Sequence, residues 1–360
     1  MDSTAAASLL LDRGFQCAGA HLSLFDGAGE AEAARLAAQQ LGIPLHVFDM
    51  SGQFKREVVS RFVDSYLHGK TPNPCVDCNR HIKFGALLEK AAELGYGAIA
   101  TGHYARLEQS NGRWMLRKAL DESKDQSYVL YTLTQSQLAR IRFPLGGMTK
   151  TRVREHALSK GFPNANKSES QDICFVPDGD YAAFLERYTG QKLCPGNFID
   201  PEGRVLGRHR GTPRYTLGQR KGLGLALPRP GYVCGIDPVS NTVTVGEEAL
   251  LFGTTLYAHD INLVACDTLD KPLRCKAKIR YRQTEQWATA EQIDAGALRV
   301  IFDEPQRAIT PGQAVVLYDG EYVVGGGTIF NAASFSIALP VFVKEKDPGR
   351  QGQDKLQPQG

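Results

Sequence analysis

Apolar and polar positions in the first half of the chain repeat with two periods. Ala5 to Leu11 carries the helical one, with Asp2, Ser3 and Thr4 as capping residue types and Gly14 as a stop. Phe15 to Leu24 predicts a strand, Glu30 to Leu41 a helix, Leu45 to Phe48 a strand and Phe54 to Leu67 a helix. Ile82 to Leu94 predicts another helix, and Ala98 to Ala100 a short buried strand. Helices alternating with short apolar strands predict an α/β layer with a parallel sheet, whose ligands sit at strand C-termini. Residues 112–131 predict a β-ribbon, and helices are predicted over 135–141 and 149–160, the latter with Thr149 as N-cap.

From about Gly196 the helical period stops. Glycine-punctuated short strands are predicted at Tyr215 to Gly224 and Thr242 to Val245. Longer ones follow at Cys275 to Tyr281, Leu298 to Phe302, Ala314 to Tyr318 and Tyr322 to Gly325, as in a small barrel or sandwich. The change of texture divides the chain into 1–193, 194–255 and 256–345, with a polar tail over 346–360 predicted to be disordered.

Composition changes this picture little. A 42% hydrophobic and 22% charged chain of 360 residues is globular and expected to hold two or three domains. No apolar run reaches membrane-spanning length and no export signal is visible, so a cytoplasmic protein without membrane contact is expected. Eight cysteines in so long a chain read as free thiols. A net charge of +3 permits a nucleic-acid partner without arguing for one.

The candidate chemistry centres on Thr71-Pro-Asn-Pro-Cys-Val-Asp-Cys-Asn-Arg-His-Ile-Lys-Phe84. Two prolines hold its start extended, and Cys75 and Cys78 follow at a predicted loop-to-helix junction beside Arg80, His81 and Lys83. That setting is expected to lower a thiol pKa. A structural zinc site would need a second C-x-x-C, which is absent, and the Pro-x-Pro start disfavours a thioredoxin-type pair. A structural role and a reactive cysteine with a supporting neighbour both remain. Cys174, between Ile173 and Phe175, follows the polar stretch Asn164 to Asp172; it reads as a buried thiol or as a functional one. His103 is a core histidine or a ligand contact, with Gly102 permitting close approach. Basic residues around Tyr215 (Arg208, Arg210, Arg214, Arg220, Lys221) suit RNA as well as solvent.

Eight collinear segments resemble the bacterial tRNA-specific 2-thiouridylases. They are Thr71-Pro-Asn-Pro-Cys-x-x-Cys-Asn-Arg80 with Ile82-Lys-Phe-Gly85, Ala100-Thr-Gly-His-Tyr-Ala-Arg106, Lys124-Asp-Gln-Ser-Tyr128, Lys167-Ser-Glu-Ser-Gln-Asp-Ile-Cys-Phe175, Tyr215-Thr-Leu-Gly-Gln-Arg-Lys-Gly222, Ile279-Arg-Tyr-Arg282, Thr310-Pro-Gly-Gln313 and Gly325-Gly-Gly327. The resemblance implies a PP-loop adenine-nucleotide-binding α/β domain, a small central β domain and a C-terminal β barrel. It implies ATP with Mg2+, a tRNA substrate and a sulfur-donor protein. Uracil C2 oxygen would be adenylated, then displaced by a persulfide carried on Cys174, with Cys78 as the nucleophilic partner thiol that forms a disulfide with it. Asn73, Pro74 and Cys75 match the target-base pocket. Asp2, Ser3, Leu22 and Gly102 match nucleotide contacts. His103, Lys124, Asp125, Gln126, Arg280, Tyr281 and Gln313 match tRNA contacts.

Two departures stand out. Some members carry Asp at the position of Cys75; the third thiol makes Cys75, Cys78 and Cys174 candidate ligands of a [4Fe-4S] cluster. The family's phosphate loop reads Ser-Gly-Gly-Val-Asp-Ser after a first strand, whereas this chain reads Met1-Asp2-Ser3-Thr4. The expectation is a sheet without that strand, explained by a start codon assigned too late. The alternative expectation is a tRNA-binding member that has lost catalysis with its phosphate loop.

Overall fold

The structure, a computed structural model, describes residues 1–25, 28–162 and 173–330. The Lys167 to Asp172 part of the cysteine motif, residues 331–345 and the tail over 346–360 lie outside the described residues.

The first domain is α/β. Helix Asp2–Asp12 ends at Gly14, whose φ of +84° only glycine adopts without strain. Strand Gly19–Ser23 runs parallel to Leu45–Asp49 through the crossover helix Ala28–Leu41. A second parallel pair joins Ile99–Ala100 to Ile141–Arg142. The two pairs are not bonded to each other among the described residues. A cavity of about 1430 Å3 lies between them, lined by Gly19, Leu22, Ile99 and Ala100 from both sides. Among the described residues the two parallel pairs thus stand on either side of this cavity.

The helix over 51–67 buries Phe54, Val58, Phe62 and Tyr66, an i, i+4 ladder against one wall. It packs on the helix over 74–93, which departs from expectation. That helix starts at Pro74, eight residues before Ile82, because proline's fixed φ suits the first helical position and Asn73 caps it, its Oδ1 accepting from Cys75 N at 3.2 Å. Cys75 and Cys78 are thus helical rather than in a preceding loop.

Helix Tyr181–Thr189 was not expected either, although Asp180 caps it and Gly190, at φ +69°, closes it. The predicted strands over Tyr215 to Gly224 are instead turns. Gly218, Gly222 and Gly224 adopt left-handed φ values there, which breaks any ladder.

Strands Val205–His209, Gly196–Ile199, Thr242–Gly246 and Tyr232–Asp237 form the small middle sheet in that spatial order, around Phe198, Tyr215, Val233 and Val243. Six antiparallel strands from Phe252–Leu263 to Tyr322–Phe330 close a C-terminal barrel, the first pairing with the last. Two of them, Phe252–Leu263 and Gln286–Asp294, are not among the strands the pattern predicts. The ribbon Arg106–Ser110 and Arg113–Arg117 of the first domain extends the barrel sheet through Tyr322 and Arg117. One apolar core runs from Phe84, Tyr128 and Leu130 to Val316, Tyr318 and Val323 of the barrel. The ion pair Lys118–Glu285, 2.5 Å long and little exposed, ties the two together.

Candidate functional site

Two of the three thiols, Cys75 and Cys78, lie on the helix over 74–93. Pro74 and Cys78 are buried, and Cys75 keeps open surface. Cys174 comes alongside because Phe175 wedges edge-on against Phe54 and Phe62 (ring centroids 5.6 and 5.2 Å) while helix Tyr181–Thr189 covers it with Phe184 at 5.4 Å. Ile173, Phe175 and Cys78 pack on one apolar cluster, so a residue 96 positions further on shares the surroundings of Cys78. All eight cysteines are free.

The expected low thiol pKa is not what this packing produces. Burial pushes Cys78 up to about 11; Lys83 opposes it, and Cys174, Cys75 and Asp77 add to the rise. Removal of water by the surrounding protein also raises Cys75 and Cys174, again against Lys83. In this state the three thiols hold their protons at neutral pH. The helix start and cations read from the sequence are present; the burial, which outweighs them, was not readable.

Asp77, between the two cysteines, is raised to about 6, chiefly by burial; Arg61 and Arg80 oppose this and Asp260 and Glu57 reinforce it. A raised carboxylate pKa means the folded state holds the proton more tightly than the unfolded chain. The charged form's penalty is absent below about pH 4 and complete above about pH 6. Asp77→Asn is therefore expected to raise the thermal midpoint at pH 8, by on the order of 1–3 kcal/mol of stability, and to do nothing at pH 4. Thermal melts of both proteins across this range check it.

The nucleotide candidates Asp2, Ser3, Leu22 and Gly102 all line the cavity between the strand pairs. Gly102 is required there by backbone: a Cβ would lie 2.8 Å from Asp2 and from Ser3 N. Asp2 is fixed by Lys150 Nζ, which donates to both its oxygens at 2.9 and 2.7 Å.

The tRNA candidates divide. His103 is buried, hydrogen-bonded with Thr101 Oγ1 at 2.8 Å and packed against Phe84 and Phe143; burial, then Lys83, holds it well below the usual histidine range. Asp125 accepts from Ala119 N, Ser127 N and Ser127 Oγ, and Gln126 Oε1 from Tyr104 N, which shapes the turn carrying Lys124. Arg280 donates to Ala308 O and Thr310 Oγ1. Gln313 Nε2 donates to Thr71 O at 2.7 Å and Pro72 O at 3.4 Å, so it braces the start of the cysteine motif. Tyr281 is 38% exposed, with Lys278 Nζ 5.9 Å from its ring.

Three family models match in series: a tRNA methyl transferase HUP domain over residues 1–178, a tRNA methyl transferase PRC-barrel domain over 182–247 and an aminomethyltransferase β-barrel domain over 253–329. A tRNA-specific 2-thiouridylase of Moorella thermoacetica is 49% identical over 92% of this chain and 98% of its own length. The corresponding proteins of Carboxydothermus hydrogenoformans (46%; 91% and 94%) and Acetivibrio thermocellus (44%; 91% and 96%) are similar to the same extent. The chain belongs to the tRNA-specific 2-thiouridylase family.

Cys75, Cys78 and Cys174 feel one another's charge, yet no three metal-ligating side chains converge among the described residues. The thiols present do not fit a three-cysteine cluster in this conformation. No helix among the described residues is long and apolar enough to cross a membrane.

Sequence reasoning missed two features of the candidate site. Arg80 pairs with Asp260, 180 residues away on a barrel strand, at 2.5 Å. Asp260 has φ +49° inside a bulge of strand Phe252–Leu263, an uncommon conformation for a non-glycine residue. Lys83, in the sequence only one of the cations flanking the cysteines, also reaches the cavity wall.

Proposed function

We propose that this protein replaces the C2 oxygen of the tRNA wobble uridine with sulfur, at the expense of ATP. The observation that carries the reading is that Ile173 and Phe175, on either side of Cys174, pack on the apolar cluster that holds Cys78, while Lys83 of the same helix lines a cavity large enough for an adenine nucleotide. ATP with Mg2+ supplies the adenylyl group; Asp2, Ser3, Leu22 and Gly102 are the residues that would hold the nucleotide. The flipped base rests against Asn73, Pro74 and Cys75 at the helix start.

Uracil O2 attacks the α-phosphorus and pyrophosphate leaves. A persulfide on Cys174, loaded by a sulfur-donor protein, attacks C2 with its terminal sulfur. The C2–O bond breaks and its electron pair leaves with AMP. Cys78 then attacks Cys174 Sγ; the S–S bond to the transferred sulfur breaks, its electrons complete the thiocarbonyl, and a Cys78–Cys174 disulfide remains. A cellular dithiol reductant must reduce that disulfide before the next turnover. No step passes through an iron–sulfur cluster.

The test uses unmodified tRNA, ATP and a persulfide-loaded donor. Thiouridine by nucleoside mass spectrometry, with about one AMP and one pyrophosphate released per event, is the expected outcome. Binding of tRNA without pyrophosphate release or thiouridine would instead mark a tRNA-binding protein without this catalysis.

A further inference from the structure

A half-buried cation without a counter-charge is costly, and such cations normally sit opposite an anion. Lys83 is half-buried in the cavity wall, and no carboxylate among the described residues pairs with it. Its place follows from the backbone. Residues Cys78–Ala86 are wound as a π-helix, with i→i+5 hydrogen bonds. In that winding residue 83 comes round nearly beneath residue 78, whereas five positions along an α-helix of 3.6 residues per turn lead to a different face. The i→i+5 winding shows at Gly85, where a Cβ would lie 3.0 Å from Arg80 O. Lys83 thus stands on the face of Cys78 while bordering the cavity with Asp2, Ser3 and Gly102. Its charge favours the thiolate form of Cys75, Cys78 and Cys174 and disfavours charge on His103.

We infer that Lys83 is the phosphate-binding cation of this site, holding the α-phosphate while the base is adenylated and receiving AMP as it departs. The inference rests on the nucleotide reading above and adds a residue to it. When sulfur bonds to C2 and the C2–O bond breaks, the electron pair passes to the phosphate oxygen. An ammonium group at that point lowers the barrier by meeting the new charge. Because the same cation faces the thiols, departure of AMP also frees its charge for the Cys78 thiolate that must act next.

Adenosine and AMP separate the two claims, titrated calorimetrically into the full chain. Lys83→Met is expected to weaken AMP binding about tenfold and to leave adenosine unchanged, with Lys83→Arg staying within about threefold of the parent. A footprint on the unmutated protein removes dependence on the variant's folding: AMP, and not adenosine, should shield Lys83 Nζ from acetylation. Equal AMP affinity in Lys83→Met, or acetylation of Lys83 unaffected by AMP, overturns the role of Lys83 while leaving the nucleotide site in place. Failure of the parent protein to bind either molecule overturns the nucleotide reading and this inference with it.

Discussion

A Cys174→Ser variant is expected to bind tRNA and release pyrophosphate at the parent rate, yet to form thiouridine slower by at least about 10^3-fold. Serine fills nearly the same space beside Phe175, and Cys174 is exposed, so folding should be untouched. What is lost is chemical: an alkoxide oxygen cannot carry a transferable sulfur. Cys78→Ser should fail differently. Cys174 would still take up the donor's sulfur, but release would stall after one bond formation, because the thiol assigned to break the S–S link is gone; Cys75→Ser in the same background removes the remaining neighbouring thiol. Intact-protein mass spectrometry separates the cases: no added sulfur on Cys174→Ser, and a sulfur-bearing adduct that accumulates on Cys78→Ser. If Cys174→Ser retains the parent rate, the proposed sulfur carrier is wrong. The buried position of Cys78 adds a pH signature. With its pKa at about 11, the single-turnover rate should climb through pH 7–9 if deprotonation of Cys78 limits release.

The α/β start, the change of texture near Gly196 and the all-β end were legible because each rests on a local period of apolar residues. The apolar cluster shared by Cys78 with Ile173 and Phe175 was not, because no local rule links segments so far apart; only the collinear motifs put Cys78 and Cys174 in one reading. The missing parts are non-local. Helix start at Pro74 was hidden because proline reads as a breaker until the capping role of Asn73 is seen. The π-winding that aims Lys83 leaves no signature in composition. The burial that raises Cys78 comes from a cluster with Phe54, Phe62 and Leu185, none of them its neighbours in sequence. Helix Tyr181–Thr189 carried an available signal, Asp180 as cap with Phe184, Leu185 and Tyr188 at helical spacing and Gly190 behind, and could have been found. The barrel's part in the site was the least accessible. Gln313 and Asp260 act by bracing Thr71 and Arg80, contacts made across roughly 180 to 240 residues of sequence.

Phe62→Ala is expected to carry the largest stability cost near the site and, through it, a functional one. The ring is fully buried and meets Tyr66, Phe175, Tyr181 and Phe184 at centroid distances of 4.9, 5.2, 6.1 and 6.1 Å. Removing it leaves a cavity bounded by rings that cannot collapse without moving their helices, at a cost of about 3–5 kcal/mol. The loss is directional. Phe62 joins the helix over 51–67 to Phe175 and to helix Tyr181–Thr189, the two elements that hold Cys174 against the Cys78 helix. With that seat loosened, Cys174 should meet Cys78 less often, so the oxidant-driven Cys78–Cys174 disulfide should form several-fold more slowly in folded protein. Phe62→Leu supplies the control: it keeps apolar volume, should cost less than half as much, and should restore most of the cross-linking rate. A thermal midpoint lowered in Phe62→Ala with an unchanged cross-linking rate would show that the aromatic cluster stabilises the domain without positioning Cys174. A parallel fall in both, reversed in both by leucine, would show that packing 112 positions upstream sets the encounter on which sulfur release depends.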